Sequence, residues 1–466
     1  MRRGRARERF GWAGALLLIA CGGDQEADDS RGSSATGLTG LTTITATDGG
    51  GESGSESDSD SNASNSGSQT GGSGPGTSAS GSDTDGSGGG ASDSDDGPKF
   101  DIASPDGGSA CGGGKGGGGG GGAETFSYIW IANSSQGTVS KINTQTLVEE
   151  GRYLTRSDGA AGSPSRTSVN LNGNMAVANR QGGITAYWSN PDDCDPNANG
   201  VPGLQTATDA NFLPWAEDDC LRWHTPINAS SNRPAAWAPG VWSDSECRYV
   251  NNKFWTAARG GDDPGTRVML LDGETGVIEQ TIPIPEFTSI TYGGAVDGDG
   301  NFWGHQSGGS QLFFVDRETF QYQIYAGPGD SYGIAVDDNG KPWTCYLGVH
   351  RLDPATGVWD HNNTINSSYG GCMSDGAGTM WLSHDPLLGI DINTMQVVQS
   401  LDIPQDIHGV SIDFDGYVWG VPIAGSVAYR IDPGTGAVDT IPGLVGAYTY
   451  SDMTGFALAN AGAPSG

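Results

Sequence analysis

Three of the six histidines in this 466-residue chain stand at related places in a repeated phrase. His408 immediately precedes a glycine that opens one copy, and Tyr292 and Tyr332 hold the same place in two others. His305 and His384 follow the tryptophans of two copies by two and three residues. Imidazole gains or loses a proton near neutral pH and also ligates metals. Brought together, these five side chains would give either a general base with polar neighbours or a wet, polar wall for a ligand. His305 and His384 would make a weak site for a soft metal, since no carboxylate accompanies them.

Such an assembly needs a scaffold that returns equivalent positions to one place. The repeat supplies it. A glycine opens the phrase, an aspartate follows four residues later and a tryptophan six after that: Gly293/Asp297/Trp303, Gly333/Asp337/Trp343, Gly371/Asp375/Trp381 and Gly409/Asp413/Trp419. The glycines are 40, 38 and 38 residues apart. A second phrase, Asp-x-x-Thr, follows from Asp272, Asp316, Asp353, Asp391 and Asp432, with Asn143-x-x-Thr146 as a sixth copy. Short strand-like runs between Asp-Gly and Asn-Gly turns, at a period near 40, predict an all-β fold, a β-propeller. The opening glycine starts an inner strand and the tryptophan packs on the second. Because these two strands are antiparallel, the residue before each glycine and those just after each tryptophan face one channel mouth. Degenerate copies around Trp130, Asn170–Ala176 and Trp255 bring the count to seven blades, with six as the alternative. Gly455-Phe-Ala-Leu458 imitates an inner strand and is expected to close the ring beside the first blade, which lacks its own.

The ends of the chain read differently. Arg2 to Arg9 followed by the apolar run Phe10–Ala20 is a secretion signal over residues 1–20, too short for a folded membrane span. It ends Leu18-Ile-Ala-Cys21, which resembles the bacterial lipobox and implies acylation of Cys21, a membrane anchor, and an outer-membrane lipoprotein with its domain in the envelope or at the cell surface. Residues 21–122 are a Gly/Ser/Asp-rich run with 16 acidic residues against Arg31, Lys99 and Lys115. It holds too little apolar surface to offset its ordering entropy and reads as a disordered tether. The net charge of −32 argues against nucleic acid or anionic lipid as a partner. The propeller then spans 123–466, and it is expected to be a monomer.

An insertion at about 190–238 carries Cys194 and Cys220, expected to pair in an exported chain. Cys345 and Cys372 are the next pair. Asp195, Asn197 and Asn199 before Gly200 place oxygens at alternate positions. That is either half of a calcium loop or a run of Asx-turns.

The phrase Gly-x-x-x-Asp-x-x-Gly-x-x-Trp is similar to the repeat of the virginiamycin B lyase (streptogramin lyase) family, a seven-bladed propeller. The Tyr128–Asn143 and Ala178–Tyr187 stretches resemble YVTN-type propeller repeats. The lyase resemblance implies that His408, in Ile407-His-Gly-Val410, acts as general base beside magnesium held partly by glutamates after a tryptophan. Here those places hold Ala257, His305, Cys345, Ser383 and Val421. With that column empty of acids, the expected function is a lipid-anchored binding or interaction module with a small-molecule or protein ligand at the mouth. A lyase-like enzyme and a structural envelope protein are the alternatives.

Overall fold

The computed structural model describes residues 128–463, except 162, 262, 307 and 308. The expectations for the leader, Cys21 and the tether lie outside the described residues. Antiparallel sheets form seven blades: blade 1 from 128–154, blade 2 from 164–225, blade 3 from 231–284, blade 4 from 291–326, blade 5 from 331–361, blade 6 from 372–401 and blade 7 from 409–447. Blades 4 to 7 keep simple up-and-down order. Each inner strand packs on the inner strand of the next blade, which buries apolar side chains such as Ile334, Met373 and Val410.

The repeated aspartate and tryptophan form a clamp within each of blades 4 to 7. The Asp297 Oδ1 accepts the amides of Asp299 and Asn301, which shapes the hairpin turn, while its Oδ2 accepts Trp303 Nε1–H at 2.9 Å. The same bond recurs from Trp343 to Asp337 at 2.8 Å, Trp381 to Asp375 at 3.2 Å and Trp419 to Asp413 at 2.7 Å. A buried indole N–H needs an acceptor, and the phrase carries one six residues upstream. The acid is itself buried: desolvation lifts the Asp413 carboxyl to about 6 even though Trp419 and the turn amides pull the other way. Replacing Trp419 by Phe leaves that oxygen without its donor. We expect a loss of about 1–3 kcal/mol in denaturant unfolding.

The ring does close through the C-terminus, by a different segment from the one its sequence suggests. Tyr448–Met453 lies along the strand Tyr128–Asn133: Tyr448 N–H donates to Ala132 O at 3.0 Å and Trp130 N–H donates to Met453 O at 2.9 Å. Gly455–Leu458 is not a strand. Gly455 adopts φ 86°, and Phe456–Asn460 is a short helix. Asp452, half-buried, accepts the amides of Gly455, Ala457 and Leu458 and so fixes its start. The tail then bonds the turns of blades 4 and 5, through Gly298 N–H to Gly462 O and Gly462 N–H to Asp337 O. Phe456 packs on Phe414 of blade 7. The tail therefore covers the channel end at which the inner strands finish.

The insertion is narrower than its sequence suggests. Residues 221–225 are the outer strand of blade 2, and 231–232 and 236–238 are the split inner strand of blade 3. Only 188–220 interrupts the blade, with Cys194 and Cys220 bonded across it. Cys345 and Cys372 join blades 5 and 6.

Candidate ligand site at the open mouth

The inner strands begin at the mouth opposite the tail, and those of blades 2, 4 and 5 begin with a bulge. Thr291 pairs with Gln306 and Gly293 with His305, so Tyr292 stands between two paired positions. Tyr332 does the same between Ser331 and Gly333. A bulged residue drops out of the ladder and its side chain is re-aimed, here into the channel. The degenerate blades contribute here too. In blade 2 the bulged residue is Ser165, and Arg166 occupies the glycine's place, paired with Ala178. In blade 3 Asn232 pairs with Ala258, three residues after Trp255, as Thr291 pairs with Gln306, three after Trp303. Arg233 therefore takes the place of Tyr292.

These positions converge. The Tyr448 hydroxyl lies 2.6 Å from that of Tyr292, 2.7 Å from Tyr332 and 3.3 Å from Tyr450. Three cations surround this phenol cluster. The Arg166 guanidinium sits 3.5 Å above the Tyr450 ring, Arg233 lies 4.6 Å from the Tyr292 ring and Arg180 lies 4.4 Å from the Tyr448 ring. Arg166 is pinned by donating from Nε and Nη2 to Tyr292 O. Burial alone would raise the Tyr448 hydroxyl. The guanidiniums of Arg233 and Arg166, with the Tyr292 and Tyr332 hydrogen bonds, outweigh burial and bring it down to about 8. Tyr292, Tyr332 and Tyr450, buried in the same cluster, are all pushed up.

His408 belongs to this mouth. It is half-buried, its ring lies 6.0 Å from Tyr332 and 5.8 Å from Tyr369, and its Nδ1 has no partner. Desolvation lowers its pKa against the pull of Asp406, so the imidazole is neutral at pH 7. His305 is a correction. It is fully buried, its pKa driven down to about 3 by desolvation, and its Nδ1 lies 2.9 Å from Ser331 Oγ within the wall between blades 4 and 5. Its ring lies 6.2 Å from that of Tyr292. His384 is half-buried beyond the second strand of blade 6, its Nδ1 3.1 Å from Pro386 O. No hydrogen bond or ring contact joins it to His305.

At the insertion, Asp195 Oδ1 accepts Asn197 N–H and Asn199 Oδ1 accepts Val201 N–H, while Asn199 Nδ2 donates to Glu217 O. These oxygens serve as Asx-turn caps. Among the described residues no three His, Cys, Asp or Glu side chains are grouped to hold a metal. The mouth, walled by guanidiniums and phenols, does not fit magnesium either.

The sequence reading missed Arg166, Arg233, Tyr448 and Tyr450. Arg166 had a signal: Asn170 caps its turn as Asp297 does, accepting Asn172 and Asn174 amides, so four residues back is the glycine's column. Arg233 had none, because its blade lacks the clamp aspartate.

Fold and site together define a seven-bladed β-propeller with one end covered by the C-terminal tail and the other walled by aromatic and cationic side chains. Among solved structures the chain is similar to virginiamycin B lyase from Staphylococcus aureus, at 14% identity and TM-score 0.42, covering 60% of this chain and 84% of that one. It is also similar to apo AztD from Citrobacter koseri, at 13% identity and TM-score 0.43, covering 69% of this chain and 96% of that one. Among curated proteins, 126 residues are 29% identical to peptidylglycine alpha-amidating monooxygenase of Rattus norvegicus; they make up 26% of this chain and span only 12% of that protein. No protein-family model matches the chain.

Proposed function

We propose that this protein is a lipid-anchored binding propeller that takes a small polar ligand at its open mouth. One observation carries this reading. Buried polar atoms without a partner gather at the mouth end of the blades: Ser165 Oγ, Arg166 Nη1, Thr291 Oγ1, Ser383 Oγ and His408 Nδ1. Buried donors and acceptors are ordinarily satisfied, so a cluster of orphans marks a place that water or a ligand completes. The lipobox-like Leu18–Cys21 and the acidic run behind it support an anchor on a long tether.

A second reading is favoured by His408 itself. A neutral imidazole with an unclaimed ring nitrogen is what a general base requires. It would act here without magnesium, and opening of a cyclic depsipeptide by the wild type, lost in His408→Ala, would establish it.

The binding reading is tested by a thermal-shift panel of small polar compounds on the full chain. A ligand at 100 times its Kd stabilises by about 2.7 kcal/mol. His408→Ala should abolish that shift, while the unliganded variant melts within about 0.5 kcal/mol of the wild type because the ring is half-exposed. A panel with no His408-dependent shift overturns the reading.

A further inference from the structure

We propose that the ligand of this mouth is a small organic cation with an alkylated ammonium head, held on an arc of four rings: Tyr346, Tyr332, His408 and Tyr369. This rests on the reading of the mouth as a ligand site and names the ligand's chemistry.

The arc is built across blades 5, 6 and 7. Blade 6 has Gly370 where blades 4, 5 and 7 carry Tyr292, Tyr332 and His408. Gly370 adopts φ 107°, and a Cβ there would stand 2.5 Å from the Tyr332 ring. With no side chain in that place, Tyr332 leans across blade 6 until its ring lies 6.0 Å from His408. Tyr346 extends the row on one side, 5.7 Å from Tyr332, and Tyr369 on the other, 5.8 Å from His408. Tyr346 is 36% exposed and Tyr369 and His408 are partly exposed, so the row keeps ring area open to solvent.

The charge beside the arc is negative. Hydrogen bonding to Asp406 raises the Tyr369 hydroxyl, and the charges of Asp406 and Asp385 act in the same direction. Asp406 also draws on His408. Among the described residues, these two carboxylates are the charged groups that act on Tyr369 and His408, and no guanidinium does. The guanidiniums of the mouth stand on blades 2 and 3, where Arg166 lies over Tyr450, Arg180 over Tyr448 and Arg233 over Tyr292. The electron-rich faces of adjoining rings attract a cation, and a carboxylate at their margin adds to that attraction. An anion would meet Asp406 and Asp385 at this arc. A neutral apolar compound would gain the ring contact without the charge. An alkylated ammonium gains both, and its methyl groups ask no hydrogen bond of the rings.

Calorimetry with the full chain tests this. Choline is the cation, and the control is its uncharged isostere, the same alcohol with a tert-butyl group in place of trimethylammonium. We expect choline to bind at least about tenfold more tightly than the isostere, and added salt to narrow that gap. Tyr369→Leu removes a ring face and should weaken choline by about tenfold or more. Tyr369→Phe keeps the ring and should stay within about threefold of the wild type. Asp406→Asn should weaken choline and leave the isostere unchanged. Should Tyr369→Leu fail to melt cooperatively, Tyr346→Leu carries the same expectation at an exposed position. Failure of choline to bind, equal affinity for choline and its isostere, or a Tyr369→Phe variant as damaged as Tyr369→Leu overturns the proposal. If an anionic or neutral compound then still gives a His408-dependent thermal shift, the mouth remains a ligand site and only its preference for a cation falls.

Discussion

A chain ending at Ala447 should lose its cooperative melt altogether. Blade 1 has three strands of its own, and Tyr448–Met453 supplies the fourth, innermost one. Cutting there exposes the edge of Tyr128–Asn133 and strips away buried Met453, Phe456 and Leu458 together with the Tyr450 ring beneath Arg166. An open ring loses the seam between blades 1 and 7 and uncovers the far end of the channel. Those losses together exceed the ordinary stability of a domain, about 5–15 kcal/mol, and the free edge invites aggregation. Circular dichroism on heating checks this, and a truncated protein with an unchanged sharp transition would refute the closure described here.

Gly371→Ala should be strongly destabilising. The Gly371 backbone lies so close to the next blade that a Cβ would stand 2.0 Å from His408 O; the equivalents are 1.9 Å from Gly370 O at Gly333 and 2.0 Å from Thr449 O at Gly409. The obstacle is backbone, which cannot rotate aside, so neighbouring blades must part. We expect at least about 3 kcal/mol in denaturant unfolding. Because His408 is carried on the displaced segment, any mouth ligand should weaken as well. Gly416→Ala is the matched control. Its φ of 84° makes alanine strained, but nothing lies within 4 Å of the new methyl, so the cost should be about 1–2 kcal/mol. Equal costs at the two positions would mean that the opening glycine serves the turn, not the seam.

The repeat was legible in the sequence because its chemistry is local. The clamp joins an aspartate to a tryptophan six residues on, so one hairpin contains both partners and the phrase recurs intact. Counting phrases gave the blades, and placing Cys194 beside Cys220 needed only an insertion bracketed by the two. Local patterning also assigned Tyr292, Tyr332 and His408 to the mouth, since alternation along a strand decides which end and face a residue occupies.

What the sequence could not decide depends on contacts across the ring. Gly455–Leu458 carries strand-like residues, yet the Asp452 carboxylate takes the following amides and winds them into a helix, leaving Tyr448–Met453 to close the ring. His305 fell in the expected column, but packing between blades 4 and 5 buries its ring fully against Ser331. Arg166 and Arg233 sit in blades that had lost the phrase: only the Asn170 turn marked the first, and no local pattern marked the second. Their meaning arises only when the closed ring brings blades 2 and 3 opposite Tyr448, more than 200 residues away in the chain. Periodicity specified the scaffold one blade at a time; the charge and chemistry of the mouth are a property of the assembled circle.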